Sequence, residues 1–178
     1  MDIQRFINTY RVTSFIIGVN LTIFLMNQFS LFPAPLSLPG LLNAGTFLAH
    51  FSHYDLLHVL MNMFVFLQIS PLLERPLGMV KYSLIIIFIW LATALLIYPV
   101  IQHPTLGFSG IMLGILTFTI GYYYHEKQFA YELSGWLMLN ILIGLMPQIS
   151  FWGHLGGAVS GALVFGVFWL FQDKKHLG

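Results

Sequence analysis

The chain contains no cysteine, which excludes disulfides, thiolate metal sites and a cysteine nucleophile at once. Charge is nearly as scarce. Only 7% of the 178 residues are Asp, Glu, Lys or Arg, against about a quarter in soluble domains. The net charge is +1 and no basic cluster occurs, so nothing here would hold a nucleic-acid backbone. What the chain does have is apolar surface: 58% of residues are hydrophobic and the mean hydropathy is +0.84. This composition is that of a polytopic membrane protein.

The apolar residues fall into six stretches, near 12–30, 55–73, 80–101, 108–124, 133–149 and 151–171. Each is close to the roughly 20 residues that span hydrocarbon as a helix. The first stretch, preceded by Arg5 and Arg11, has the outline of a signal peptide. It carries no small-residue cleavage site and is read as a retained helix. Between the first two stretches, Phe32-Pro-Ala-Pro-Leu-Ser-Leu-Pro-Gly40 is apolar but too rich in proline for a continuous helix. Residues 31–52 are therefore expected to form an interfacial loop. The whole chain, 1–178, is predicted to be one all-α membrane domain of six transmembrane helices.

Cations are absent from the first, third and fifth connections. All seven lie elsewhere: Arg5 and Arg11 before the first helix, Arg75 and Lys81 around the second connection, Lys127 in the fourth, Lys174 and Lys175 after the last. The positive-inside rule then places both termini in the cytoplasm. A bacterial plasma membrane is the expected location. Membrane lipid is an expected partner.

Against this background the polar residues on the external side stand out, because such groups at membrane depth are costly and tend to be functional. Ser109 lies in Gly107-Phe108-Ser109-Gly110, one turn into the fourth helix. As a lone serine it reads as a packing residue or one bonded back to a carbonyl. The flanking glycines suggest more. Gly107 and Gly110 allow a tight turn and close approach of a substrate strand. They also leave the Ser109 amide at a helix N-terminus, where negative charge is favoured. Gly110 and Gly114 form a small-residue face.

His154 lies at a matching depth in the sixth helix. Gly157 and Gly161 follow it at i+3 and i+7 on the same helical face. That face can pack closely on Gly110 and Gly114, bringing the imidazole to the serine hydroxyl. A nucleophile and its base are then side by side. The only acid on the external side, Asp55, belongs to the second helix, so a hydrolytic mechanism would rest on a Ser109–His154 dyad. The imidazole must be oriented by packing, a hydroxyl or an aromatic ring instead of a carboxylate.

The second helix carries His53-x4-His58-x3-Asn62. His58 and Asn62, at i and i+4, share a face. Aimed at the site of the Ser109 amide, they would complete an oxyanion hole. A zinc half-site is the alternative, although asparagine is a poor zinc ligand and no acid or cysteine completes the set. His53, five residues before His58, is expected to point elsewhere and to order the first loop. No metal and no cofactor is expected.

These residues resemble the rhomboid intramembrane serine proteases, and the resemblance covers nearly the whole chain. It rests on four elements in family order: His53-x4-His58-x3-Asn62, Leu73-Glu74-Arg75-x-x-Gly78, Gly107-Phe-Ser109-Gly110 and His154-x-x-Gly157-x-x-x-Gly161. It implies the minimal six-helix rhomboid-like bundle, with Ser109 as nucleophile and His154 as general base. It also implies an oxyanion site built from His58, Asn62 and the Ser109 amide. Transmembrane protein substrates would enter past the fifth helix and the cap loop Met146-Pro147-Gln148-Ile149-Ser150. One departure is Ala44-Gly45, where many rhomboids have Trp-Arg in the first loop. The rival readings are a non-catalytic substrate-binding or chaperone module on the same fold, and a metal or proton transporter using His53, His58 and His154.

Overall fold

The computed structural model describes residues 2–31, 33–147 and 149–171. Phe32, Gln148 of the expected cap loop, and the cations Lys174 and Lys175 lie outside the described residues. Among those described there are seven α-helices: α1 (Ile3–Thr9), α2 (Arg11–Gln28), α3 (Ala44–Leu48), α4 (Leu56–Ile97), α5 (Ser109–Tyr122), α6 (Lys127–Ile143) and α7 (Phe151–Leu170). One 3-10 turn (Ala49–Phe51) follows α3. Among the described residues there is no strand, and a single antiparallel bridge joins Ser37 and Thr105.

Two of these helices, α4 and α7, are long and apolar enough to cross a membrane. The pair α1 and α2, bent by 108° at Tyr10, forms a third such unit if taken together. The start of the chain is therefore a separate short helix, with no buried residue, set at an angle to the apolar one.

Helix α4 is two helical arms joined at a kink. Gly78 has φ 74° and ψ 164°, far from helical values, in a region that glycine enters without penalty. Residues 70 and 82 would lie about 18 Å apart along a straight helix. Instead the hydroxyls of Ser70 and Tyr82 are 2.6 Å apart, so the chain folds back on itself. The two expected stretches, 55–73 and 80–101, are the two arms of this element. The connection between them is shorter than the sequence suggested, because helix persists up to Gly78.

The same turn caps α2. Tyr10 precedes that helix and makes no side-chain cap bond, which leaves its first amides without partners. Glu74, only 4% exposed, supplies them from across the bundle. One carboxylate oxygen accepts from Val12 N at 2.8 Å and the other from Thr13 N at 2.9 Å. Thr13 also donates its hydroxyl to Glu74 at 2.6 Å. Its one proton thus used, Thr13 accepts from Ser70 at 2.5 Å, and Ser70 accepts from Tyr82. Every donor in this buried chain runs toward the carboxylate, which is how a charge is tolerated there.

Helix α5 is the axis of the bundle. Buried residues occur all around it, from Gly110 to Thr119, as expected of a helix enclosed by others. It packs most extensively on α7 and next on α4. Helix α6 differs: Leu133 is its one buried residue, while Tyr131, Trp136, Met138, Leu139 and Leu142 are exposed. It also begins and ends earlier than the expected 133–149. The polar residues of its first turns hid the start, and the chain leaves helix at Gly144, ahead of Pro147.

Candidate active site

Ser109 is the first residue of α5, preceded by Phe108, whose ring is fully buried against Phe51 and Phe66. Gly107 makes the turn into the helix with φ 123°. A side chain there would be strained by that angle. It would also strike His58, since a Cβ would stand 2.9 Å from both Cε1 and Nε2 of the ring. The first loop fixes this turn from the other side. Gly107 N donates to Ala49 O at 3.0 Å, and the buried His50 ring lies by the Gly107 backbone.

Two helices meet at the serine. A side chain on Gly157 would overlap the carbonyl oxygen of Gly110, and one on Gly161 would overlap that of Gly114. The backbones of α5 and α7 therefore touch without side chains between them, as small residues permit. Beside this seam Thr93 and Ser160 share a hydrogen bond at 2.6 Å. At the end of the seam, Nε2 of His154 lies 3.1 Å from Oγ of Ser109. The start of α7 is set by Ser150, whose hydroxyl accepts from Gly153 N at 3.0 Å.

The other ring nitrogen fixes the chemistry of this pair. Nδ1 of His154 is 2.7 Å from the main-chain carbonyl oxygen of Asn140 on α6. A carbonyl only accepts, so Nδ1 carries the proton. In the neutral ring Nε2 then turns its lone pair toward the serine hydroxyl. Of the means that the sequence suggested, the packed glycine seam is present, and what holds the second ring nitrogen is backbone instead of a hydroxyl or an aromatic ring. No residue type encodes such a contact, and sequence reasoning missed it.

His58 and Asn62 lie one turn apart on the first arm of α4. Asp55 caps that arm, its carboxylate accepting from His58 N at 2.7 Å. The amide nitrogen of Asn62 is buried and has no hydrogen-bond acceptor, although an unmet donor costs about 1–3 kcal/mol. His53 departs from expectation. Its ring packs edge-on against His58 at 4.9 Å between centroids instead of pointing away. The spacing argument assumed helix, but α4 starts only at Leu56, so helical angles do not apply to His53. Burial, then the neighbouring His58, pushes His53 down to about 3. Burial pushes His50 down to about 4. Both are neutral in the folded protein at ordinary pH.

Where Trp-Arg was lacking, Ala44-Gly45 opens α3 inside a capping box formed by Asn43 and Thr46. The loop is held by Trp90, which donates Nε1–H to Phe47 O at 2.9 Å and packs edge-on with Phe47 and Phe51. Among the described residues no three His, Asp or Glu side chains gather as a metal site would require.

Together the fold and this site define an apolar helical membrane protein with a serine–histidine pair enclosed between two glycine-faced helices. Residues 44–171 match the rhomboid domain, and the chain belongs to the rhomboid family. A protein of Acanthamoeba polyphaga mimivirus, named as a candidate rhomboid protein, is 29% identical over 122 residues, covering 62% of this chain and 67% of that one.

Proposed function

We propose that this protein is an intramembrane serine endopeptidase that cuts single-pass membrane proteins near the external face of a cell membrane. The observation that carries the reading is the 3.1 Å approach of His154 Nε2 to Ser109 Oγ, with the opposite nitrogen held as a donor. In this reading the bundle spans the membrane six times with both termini cytoplasmic. Helix α5, with only 14 residues, is about 21 Å long and shorter than the roughly 30 Å hydrocarbon layer. Ser109 at its head thus lies below the surface yet within reach of water.

Ser109 Oγ attacks the scissile carbonyl carbon while its proton passes to His154 Nε2. The negative oxygen that forms is held by the Ser109 amide, His58 and the unpaired amide of Asn62. His154 then gives its proton to the leaving nitrogen, and the C–N bond breaks. His154 Nε2 next takes a proton from water, which attacks the acyl carbon; the bond to Ser109 Oγ breaks and Oγ recovers the proton from His154. A helical amide is shielded by its own hydrogen bond. Substrates whose helices unwind near the cut, through glycine or proline, are therefore favoured.

The test is hydrolysis of a single-pass substrate co-reconstituted in liposomes. The wild type should release two fragments and Ser109→Ala none. Equal cleavage by both would overturn the proposal. An equal biological effect of both without cleavage would support the chaperone reading.

A further inference from the structure

We infer that the C-terminal end of α6 is the third member of the catalytic group, standing where a serine protease places a carboxylate, with Asn140 and Gly144 as positioning residues. The inference rests on the dyad reading above and deepens it.

Helix α6 ends at Ile143, so Asn140 carries one of the last four carbonyls of the helix, which lack a full set of partners inside it. Its oxygen accepts from Gly144 N at 3.2 Å and has a second lone pair for His154 Nδ1–H at 2.7 Å. The helix end also carries a partial negative charge, roughly half an elementary charge, that favours a cation beside it. His154 becomes that cation when it takes the serine proton. An acceptor that fixes the tautomer and a negative end that steadies the imidazolium are the two services that a triad carboxylate provides.

Gly144 is what lets the helix end come so near. A Cβ there would stand 2.9 Å from Ile141 O, 3.0 Å from Phe151 Cα and 3.4 Å from His154 Nδ1, so the end of α6 and the first turn of α7 would have to move apart. Gly135 on the same helix is the contrast, since nothing lies within 4 Å of its Cβ position. The helix that orients His154 has only Leu133 buried. If α6 tilts outward to admit a substrate, the base loses its acceptor, and it regains catalytic order when α6 closes again.

Two measurements on the intact protein test this. The first is nitrogen NMR of histidine-labelled wild type in detergent, assigned against His154→Asn. His154 should carry its proton on Nδ1 at neutral pH, with a bare Nε2. The second compares Gly144→Ala with Gly135→Ala, using substrate turnover and the rate of fluorophosphonate labelling at Ser109. Gly144→Ala should lose kcat on the order of tenfold or more, since misplacement by 1 Å can cost about 100-fold, with KM unchanged and the Nδ1 signature weakened. Gly135→Ala should match wild type in all three. An active wild type with its proton on Nε2, or a Gly144→Ala variant with wild-type kcat, would overturn the inference and leave the dyad standing. A folded wild type that neither turns over nor labels would overturn the dyad and the inference with it.

Discussion

Helices α7 and α6 together set the position of His154, and they are built in opposite ways. Helix α7 lies on α5 along a seam of glycines with backbone against backbone, and Gly153, His154, Gly157, Ala158, Ser160 and Gly161 are buried. Helix α6 buries Leu133 alone and shows its large side chains to the outside. One is a fixed wall and the other a loosely held panel, yet His154 bonds to both sides of the gap. Its Nε2 meets Ser109 on α5 and its Nδ1 meets Asn140 on α6. Precision here comes from the tight seam; in the proposed mechanism a substrate enters past the loose one.

The largest effect should come from breaking the tight seam. Gly157→Val puts a branched side chain into the Gly110 carbonyl, at a site with no room for even one carbon. Overpacking costs about 1–3 kcal/mol where neighbours can shift, and a helix backbone shifts little. The variant should unfold at least several degrees earlier in detergent and lose Ser109 labelling. Wild-type melting and labelling would show that α5 and α7 are not locked as described.

A smaller effect is expected from the first loop, which braces the serine turn through the Ala49 carbonyl and buries His50 beside it. His50 is buried and neutral when folded, held down to about 4 by burial, but takes up a proton near 6.5 when unfolded. The unfolded state therefore binds more protons as the pH falls below about 6.5, so folding stability is full above that value and declines toward pH 4. A displacement of this size is worth at most about 3 kcal/mol. Melting measured between pH 7.5 and 4.5 should decline less steeply in His50→Asn than in the wild type. Identical slopes would place the acid sensitivity elsewhere.

These features differed in how plainly the sequence showed them. The Ser109–His154 approach was readable because glycines at i+3 and i+7 from the histidine mark a face that can come close. The Gly78 reversal was readable as a gap between two apolar stretches. What was hidden depended on backbone or on distant partners. Asn140 acts through a carbonyl that every residue possesses. Trp90 anchors the first loop from 43 residues beyond Phe47, and Glu74 caps a helix that starts 63 residues earlier, at Arg11. His53 was misplaced because a helical spacing was applied to residues that precede the helix.

The central claim is that Ser109 is a nucleophile made reactive by His154. The most direct measurement is the rate at which a fluorophosphonate labels the folded protein in detergent, with the modified residue located by peptide mass. The wild type should be labelled at Ser109, and neither His154→Ala nor Ser109→Ala above background. Labelling of His154→Ala at the wild-type rate, or at a residue other than Ser109, would contradict it.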